Sequence, residues 1–378
     1  MTRLVLLGSG HAHLFVLEGV ARGAFAGTDV TLVAPVRYQA YSGMVPGMIA
    51  GVYGVEQLSF DLTAIAGGAG ARCVSGTGHR IRADAARIEL ADGSPIEYDV
   101  LSVATGSTVR GIERPGVAEY ALQVKPIERA AEIAPALAAV VRAGEEPSVV
   151  VVGGGAAGIE LACAARARLR LLAGAGIGTV TLLEAAPRLL GGRLPLAERV
   201  ACRALARNRV TLRTGAEVAS ASATGVRLTD GTELPAHVLI WATGPASTDL
   251  LRTSGMALDP QGFLAVDDRL RSVSHPAVFA AGDAATPARW PDTPKSGVYA
   301  VREGPVLCAN LAAACRSAEP PEMYRPQPRS LALLNTGDGR AILSYGPLAT
   351  SGRWAMALKD RIDRRFVRRF KRLESGER

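Results

Sequence analysis

Residues 149–160 constrain the fold of this 378-residue chain more than any other stretch. Four consecutive valines at 149–152 predict a buried strand of a parallel sheet. Three glycines follow at the spacing of a dinucleotide-binding turn, where they permit the tight bend, the approach of a pyrophosphate and the packing of the next helix. They are Gly153, Gly155 and Gly158. A second apolar strand at 179–183 ends in Glu184, where a carboxylate can accept a hydrogen bond from a ribose hydroxyl.

A second and less complete copy of the motif starts the chain. The opening apolar strand leads into Gly8 and Gly10, but His13 takes the place of the third glycine, so helix and strand must pack less closely. The next strand ends in Ala34, without an acid for a ribose. Taken alone, this pattern is ambiguous, although its place at the start of the chain favours nucleotide binding. His11 and His13 fit turn and packing roles better than metal ligation, because no third ligand stands at metal-binding spacing.

The two halves of the chain repeat the same series of features. Each has a glycine turn, a pair of strands joined by Asp-Gly, and a strand that ends in Ala-Thr-Gly, at 104–106 and at 242–244. An internal duplication explains this economically. A strand ending in Gly-Asp, a hairpin at 331–345 and a basic helix at 353–373 follow. The expected fold is α/β, with two Rossmann-like domains, a short C-terminal hairpin and a basic amphipathic helix.

The segment 38–53 is rich in glycine, tyrosine, methionine and proline. We expect it to form a loop that runs over a flat ligand, because its apolar content makes full exposure unfavourable. The alternative is an ordinary surface loop.

Composition narrows the class of protein further. Five scattered cysteines without a Cys-x-x-Cys pair favour reduced, buried thiols over a metal site or a redox pair. Of the net charge of +8, +6 falls in residues 353–378, so the excess basicity belongs to the C-terminal helix. No apolar run reaches the ~20 residues that cross a bilayer, and the opening run is too short for a signal peptide. We therefore expect a cytoplasmic protein without a nucleic-acid partner.

These motifs, in this order, resemble those of the flavoproteins with two dinucleotide-binding domains. That family includes the pyridine nucleotide-disulfide oxidoreductases, the type II NADH dehydrogenases and the sulfide:quinone oxidoreductases. The matching motifs are the glycine turns at 8–10 and 153–160, Ala-Thr-Gly at 104–106 and Phe-Ala-Ala-Gly-Asp at 279–283. At 41–51, 335–338 and 359–366 the chain resembles a narrower subfamily. That subfamily is similar to the type II NADH dehydrogenases, and some of its members are fused to a selenide, water dikinase.

The resemblance implies a division into domains. Residues 1–125 and 245–330 would form a discontinuous FAD-binding domain, interrupted by an NAD(H)-binding domain at 126–244. Residues 331–378 would form the C-terminal hairpin and a helix that serves a membrane surface or a dimer interface.

The resemblance also assigns site residues. Those implied to bind FAD are Gly8, Gly10, His11, Pro35, Arg37, Thr105, Gly106, Gly282, Asp283 and Gly297. Those implied to bind NADH are Gly153, Gly155, Gly158, Glu184 and Gly244. Glu160 would lie beside the nicotinamide and Lys295 would stabilise an anionic reduced flavin, unless they are plain surface charges of their helices. Because Ala34 replaces the usual acid, either the FAD ribose is held by Arg37 or by the backbone, or FAD is bound more weakly.

Together these expectations describe an FAD-dependent NADH dehydrogenase. A hydride would pass from NADH to the flavin, and electrons would leave to a quinone or another small-molecule acceptor. NADPH is less favoured, because Glu184 repels a 2′-phosphate. The alternatives are a sulfide- or selenium-compound:quinone oxidoreductase, which the absence of a thiol pair weakens, and a flavin-binding redox sensor without fast turnover.

The C-terminal helix is expected to hold the enzyme on the inner face of a membrane. Its predicted apolar stripe consists of Leu358, Ile362, Phe366, Phe370 and Leu373, with arginines on the opposite face. A basic amphipathic helix of this kind at 353–373 is a candidate for binding an anionic surface. The alternative is that the stripe packs on the FAD domain or on a second copy of the chain.

Overall fold

The computed structural model describes residues 1–174, 176–192 and 194–376. Strands and helices are both spread along this part of the chain. The strands are β1 (Thr2–Leu7), β2 (Thr28–Ala34), β3 (Tyr38–Ala40), β4 (Ser59–Asp61), β5 (Arg72–Ser75), β6 (Gly78–Arg82), β7 (Arg87–Leu90), β8 (Pro95–Glu97), β9 (Val100–Val103), β10 (Thr108–Val109), β11 (Ala121–Gln123), β12 (Ser148–Val152), β13 (Thr179–Glu184), β14 (Thr211–Thr214), β15 (Val218–Ser222), β16 (Gly225–Leu228), β17 (Glu233–Pro235), β18 (Val238–Trp241), β19 (Pro245–Ala246), β20 (Leu264–Val266), β21 (Val278–Ala280), β22 (Ala285–Pro287), β23 (Leu331–Asn335), β24 (Ala341–Tyr345) and β25 (Leu348–Gly352).

The α-helices connect these strands and cover the sheets. They are α1 (His11–Ala21), α2 (Val45–Ile49), α3 (Leu62–Ala69), α4 (Val117–Tyr120), α5 (Ile133–Arg142), α6 (Ala156–Ala173), α7 (Pro195–Arg207), α8 (Asp249–Arg252), α9 (Gly297–Ala314) and α10 (Arg353–Glu374). No helix within the described ranges is long and apolar enough to cross a membrane.

The first parallel sheet has the strand order β5-β2-β1-β9-β21. Its neighbouring strands all pair in parallel, and the leucines of β1 in its centre are buried. The edge strand β21 arrives from much later in the chain than its neighbour β9. Because parallel strands end at one edge, the sheet brings together three motifs that are far apart in sequence: the first glycine turn, Ala-Thr-Gly and Gly-Asp.

The second parallel sheet repeats this topology with the order β14-β13-β12-β18-β11. In both sheets the strand that leads into the glycine turn is central, the next two strands lie on one side, and a strand that follows a three-stranded antiparallel sheet returns on the other side. The fifth strand differs, because β21 is the last strand of the first sheet in sequence, whereas β11 is the first strand of the second. The predicted α/β class with two Rossmann-like units is confirmed. The second sheet takes in β11 at 121–123, just before the expected boundary at 126, and the domain limits remain a prediction.

Two adjacent strands carry the chain between the sheets. On the way into the second unit the chain passes through β10, and on the way back through β19, and these two short strands pair antiparallel. The second unit is therefore an insertion in the first, and the paired strands β10 and β19 connect the two units. This places the carboxyl ends of both parallel sheets beside one another.

The C-terminal part differs from the predicted hairpin by one strand. After β23 and β24 the chain adds β25, so the structure has a three-stranded antiparallel sheet at this point. Helix α10 then runs back over the first domain and packs on α3 and β4. Phe366 and Phe370 join Phe15 and Phe60 in a cluster of aromatic rings 4.9 to 6.3 Å apart.

The predicted apolar stripe of α10 is only partly correct. Phe370 and Leu373 are buried, but Ile362 is 42% exposed, and the buried face instead runs through Lys359 and Asp363. The prediction failed there because a hydrophobic pattern cannot show two charged side chains that pair with one another inside the protein. This face of the helix packs on the first domain, which was the alternative to binding a membrane surface.

The prediction of a loop at 38–53 was wrong. The segment forms β3, a 3₁₀ turn at Ser42–Met44 and helix α2, and residues 44–50 are buried. Helix α2 packs against α6 of the second unit, so the apolar side chains that suggested contact with a ligand contact the protein as well. Part of the segment does line the cavity described below.

Candidate functional site

A cavity of about 1000 Å³ opens at the carboxyl edge of the first sheet. It is lined by the turn after β1, the end of β9, the end of β21 and the start of α9. The predicted site residues that line it are Gly8, Gly10, His11, Pro35, Thr105, Gly106, Gly282, Asp283, Gly297, Glu160 and Lys295. Most of the predicted FAD residues and both predicted catalytic residues therefore surround one space.

The first glycine turn packs directly against the end of β9. Gly8 has a φ of +94°, and a Cβ added there would lie 2.6 Å from the carbonyl oxygen of Ala104. A Cβ on Gly10 would meet the same oxygen at 2.6 Å, while the Gly10 N–H donates to it at 2.9 Å. Only glycine fits at both positions, so the backbone itself forms this wall, as a pyrophosphate-binding turn requires.

His13 replaces the third glycine of this turn without breaking it. The imidazole is buried, with Nδ1 2.7 Å from the carbonyl oxygen of Gly8 and Nε2 2.9 Å from Oγ of Ser102. Burial lowers the pKa of His13 to about 4. In the second unit, by contrast, a Cβ on Gly158 would lie 1.7 Å from the carbonyl oxygen of Gly153, so that turn is closed by direct backbone contact.

Asp283 stands in the cavity wall with two polar partners that sequence reasoning missed. Its Oδ2 accepts a hydrogen bond from Oγ of Ser107 at 3.1 Å and a charge-assisted bond from Nζ of Lys125. The neighbouring Gly282 N–H donates to the buried Glu303 at 2.5 Å. Burial raises the pKa of Glu303 to about 7. Lys125 lies far from every recognised motif, and nothing local in its sequence marks it as a site residue.

Four buried polar atoms of the wall have no partner among the described residues. They are Nε2 of His11, Oε1 of Gln39, Oγ1 of Thr105 and Oγ1 of Thr248. Burial lowers the pKa of His11 to about 4, so its ring is neutral and needs one donor and one acceptor contact. Buried polar groups are almost always satisfied, so these atoms indicate that a polar ligand belongs here. Together with the glycine wall and the size of the cavity, they fit FAD.

Lys295 lines the cavity, but its amine is held by the protein. Nζ donates to the carbonyl oxygen of Ala285 and, at 2.7 Å, to Oγ1 of Thr286, and it lies 4.3 Å from the ring centre of Phe263. Burial lowers the pKa of Lys295 to about 8, against the opposing effect of nearby carboxylates such as Asp259. Its positive charge therefore acts on the cavity from a fixed position.

Glu160 reaches the same cavity from the second unit. It lies in the second turn of α6, and its Oε1 accepts a hydrogen bond from the Asn335 N–H at 2.7 Å. Burial raises the pKa of Glu160 to about 7, although the positive charge of Lys359 and the Asn335 hydrogen bond act in the opposite direction. A carboxyl group with this pKa can hold or release a proton near neutral pH.

Behind Glu160, helix α10 contributes a buried polar network. Nζ of Lys359 donates to Oδ2 of Asp363 at 3.0 Å and to the carbonyl oxygen of Gly43 at 2.8 Å. The hydroxyl of Tyr41 donates to Oδ1 of Asp363 at 3.2 Å. The network thus ties α10 to the segment that forms part of the cavity wall. The resemblance at 359–366 was the sequence signal for this region, but it did not reveal the contacts.

The second glycine turn lies outside this cavity, at the end of β12. Gly153 has a φ of +114°, and Gly155 directly precedes α6, whose N-terminus can bind a phosphate. Glu184 ends β13 and turns its carboxylate over the turn, accepting from the Gly154 N–H at 2.5 Å and from the Ala186 N–H at 2.7 Å. Gly244 follows the end of β18, next to the turn.

Arg37 is the one predicted FAD residue that does not line the cavity. Its guanidinium pairs with Asp61 at 2.8 Å on the surface. Pro35 does line the cavity, as do residues 76–80 after β5, which include Arg80. Residues 76–80 are therefore better candidates than Arg37 to hold the part of FAD that the missing acid would have bound.

The cysteines stay out of this chemistry. All five are free thiols, and none of them lines the cavity in the described parts of the chain. Burial raises the pKa of Cys163 to about 12 and those of Cys308 and Cys315 to about 11, so they are unreactive near neutral pH. The described residues also contain no cluster of side chains that could hold a metal ion.

The fold and the site define a class of protein: an oxidoreductase with two dinucleotide-binding units whose binding edges face one another. Residues 2–304 match the family described as pyridine nucleotide-disulphide oxidoreductase, and the chain belongs to that family. Proteins of this family use FAD and NAD(P)H, and these are the cofactors of this chain.

The chain is similar to several known proteins, two of them in sequence and one in fold. The chain is 34% identical over 316 residues to an NADH dehydrogenase-like protein of Mycobacterium tuberculosis, covering 77% of this chain and 74% of that protein. It is 26% identical over 313 residues to an internal alternative NAD(P)H-ubiquinone oxidoreductase of Arabidopsis thaliana mitochondria, covering 74% of this chain and 60% of that protein. The structure of NDH2 from Plasmodium falciparum in complex with NADH has a TM-score of 0.81, with 16% identity, over 98% of this chain and 97% of that one.

Proposed function

We propose that the protein is an FAD-dependent NADH dehydrogenase that delivers electrons to a quinone. The observation that carries the proposal is the position of Glu160, which belongs to the nucleotide-binding helix of the second unit yet lines the FAD cavity of the first. A hydride can pass only where the two cofactors meet, and this is where the two sites meet. The similarity to NADH dehydrogenase-like proteins supports the same reaction.

The chain's residues bind and orient the cofactors. When bound, FAD and NADH supply the hydride chemistry. Glu184 accepts a hydrogen bond from a ribose hydroxyl, and the N–H groups at the start of α6 bind the pyrophosphate. The positive N-terminal end of α9, which begins at Gly297 in the cavity wall, favours negative charge on the bound flavin. Lys295 adds a second positive charge from its fixed position.

Glu160 binds and releases a proton beside the place where the two cofactors react. Its Oε1 is occupied by the Asn335 N–H, so a proton on this carboxyl group resides on Oε2. A neutral Glu160 also avoids a negative charge next to an anionic flavin. Because quinone reduction consumes protons as well as electrons, a carboxyl group with a pKa of about 7 in this place suits the second half of the reaction.

A sulfide:quinone reaction, the rival considered above, is less well supported. A thiol that accepts sulfide must ionise and must reach the flavin. The cysteines of the described residues have raised pKa values or lie outside the cavity. The assignment of a quinone as the electron acceptor rests on similarity to the NAD(P)H-ubiquinone oxidoreductase and on the proton chemistry of Glu160.

Steady-state oxidation of NADH tests the proposal. The FAD-loaded protein should turn over NADH many times when a short-chain quinone is supplied, and Glu160→Gln should slow this turnover while retaining FAD. Sulfide in place of NADH should leave the flavin oxidised. A protein that is reduced once by NADH and then stops in the presence of quinone would be a redox sensor, and the proposal would be wrong.

Membrane attachment through α10 is a second part of the proposal. With one face packed on the first domain, the outward face still presents Arg361, Arg365 and Arg368, together with Ile362 and, at 56% exposure, Trp354. Basic residues beside exposed apolar ones favour an anionic membrane surface, where each contributes about 1 kcal/mol.

Charge reversal on the outward face tests this attachment. Removal of the whole helix is unsuitable, because Phe370 and Lys359 are part of the interior. The variant Arg361→Glu/Arg365→Glu should lose sedimentation with phosphatidylserine vesicles at low salt, whereas Arg227→Glu on the second unit should not. Equal binding by both variants would exclude α10, and a change in native mass would instead indicate a dimer interface.

A further inference from the structure

Arg110 is fixed at the end of β18 by its backbone. Its carbonyl oxygen accepts hydrogen bonds from Nε1 of Trp241 at 2.8 Å and from Oγ1 of Thr243 at 2.6 Å, and its N–H donates to the Gly244 carbonyl oxygen at 2.8 Å. Arg110 directly follows β10, the strand that connects the two units. These bonds hold the residue against the carboxyl edge of the second sheet, although it belongs to neither glycine turn.

The side chain of Arg110 lies beside the second glycine turn. A Cβ on Gly153 would lie 2.5 Å from the carbonyl oxygen of Ala242, so the turn rests on residues 242–243. The next residue, Gly244, is close to the guanidinium, since a Cβ there would be 3.8 Å from both Cζ and Nη2 of Arg110. The charged group therefore stands next to the surface on which a dinucleotide lies.

This guanidinium has no charged or hydrogen-bonding partner in the part of the chain that the structure describes, and Arg110 is exposed. Two other basic residues near the two sites are already engaged. Arg188 pairs with Glu198, and Lys125 pairs with Asp283. A free guanidinium beside a phosphate-binding turn is chemically suited to a phosphate oxygen, which it can contact through two parallel N–H groups.

The path of the nucleotide passes this point. Its adenosine half lies toward β13, where Glu184 is placed to hold the ribose, and its pyrophosphate lies at the start of α6. Its nicotinamide must then reach the cavity of the first unit. In the sheet order β13-β12-β18, the side of the turn opposite Glu184 is the end of β18, which is where Arg110 stands.

We infer that Arg110 binds the pyrophosphate of NAD(P)H on its nicotinamide side, and so adds a specific cation to the partial positive charge of the helix N-terminus. The inference rests on the proposed use of a nicotinamide nucleotide. Because the 2′ position lies at the opposite end near Glu184, Arg110 increases affinity for NADH and NADPH equally and does not choose between them.

Binding of NAD⁺ and ADP-ribose to the FAD-loaded protein, measured by calorimetry, tests the inference. Arg110→Ala should weaken both by about tenfold, since a hydrogen bond to a charged group is lost, while leaving the FAD content unchanged. Arg110→Lys should recover part of the affinity. The matched control is Arg142→Ala, an exposed arginine at the end of α5 in the same unit, which should bind as the wild type does. The backbone bonds of residue 110 survive all of these changes.

Kinetics provide the second arm of the test. Arg110→Ala should raise KM for NADH and for NADPH by the same factor and leave their ratio unchanged. The inference is overturned if Arg110→Ala binds ADP-ribose within twofold of wild type, or if the variant alters the NADH to NADPH ratio. Calorimetry needs no turnover, so a protein that binds ADP-ribose through Arg110 but does not oxidise NADH would contradict only the proposed function.

Discussion

Replacement of Lys359 by Met should destabilise the FAD-loaded protein by about 3–5 kcal/mol, because it leaves the Asp363 carboxylate buried without its cation. The two side chains are 7% and 6% exposed, and Nζ lies 3.0 Å from Oδ2. The substitution also removes the donor that Lys359 supplies to the carbonyl oxygen of Gly43 in the cavity wall. Methionine keeps the length and the apolar stem of lysine, so the loss is mainly electrostatic.

The size of this effect can be separated from simple loss of packing by a second change. Asp363→Asn keeps an acceptor for the Tyr41 hydroxyl but removes the charge. The double variant Lys359→Met/Asp363→Asn should be more stable than the sum of the two single losses predicts, by about 1–3 kcal/mol, since neither partner is then left charged alone. Urea unfolding followed by circular dichroism gives the three values relative to wild type.

An exposed ion pair supplies the control. Arg227 and Glu233 are 62% and 68% exposed at a separation of 2.7 Å, and Arg227→Met should cost less than about 1 kcal/mol. If Lys359→Met costs no more than Arg227→Met, or if the double variant shows only additive losses, the buried pair does not hold α10 against the site and the reasoning fails.

Three further results are expected. The folded pKa of Glu160 is raised from 4.5 to about 7, so its contribution to stability is complete below pH 4.5 and is lost as the pH rises through about 7. The melting temperature of the wild type should therefore fall over this pH range, and Glu160→Gln should remove that fall. The same variant should flatten the pH dependence of flavin reduction between pH 6 and 8. Glu184→Ala should bring the rates of flavin reduction with NADPH closer to those with NADH, as stopped-flow measurements would show. The Glu184 carboxylate sets the preference, because the nearby Arg188 is paired with Glu198 and is not free to bind a 2′-phosphate. Asp283→Ala should purify with less FAD per chain by absorbance, and retention at the wild-type level would exclude its contact with the cofactor.

Features that depend on local spacing were predictable from the sequence. The turns at 8–10 and 153–158 were placed correctly because glycine spacing and the flanking apolar strands are encoded within about thirty residues. The topology could be inferred because the second half repeats the first. The meeting of Asp283 with the first turn then follows, since parallel strands end at a common edge.

Features that depend on contacts between distant segments could not be predicted. Lys125 and Asp283 are 158 positions apart, and neither sequence context reveals that they pair. The buried face of α10 runs through Lys359 and Asp363, which an apolar pattern assigns to solvent. Arg37 looked suitable for the FAD ribose only because its surface partner Asp61, 24 positions away, could not be foreseen.

His13 shows why one departure from the glycine pattern left the first turn able to form. The pKa of about 4 makes the ring neutral near pH 7, so only one of its nitrogens carries a proton. A carbonyl oxygen can only accept, so Nδ1–H must donate to Gly8 and Nε2 must accept from the hydroxyl of Ser102. The ring thus joins the turn to β9, whereas Gly158 closes the other turn by direct backbone contact. This position requires a direct contact that holds helix and strand together. The absence of a Cβ allows such a contact between backbones, and a side chain with both a donor and an acceptor makes it through hydrogen bonds.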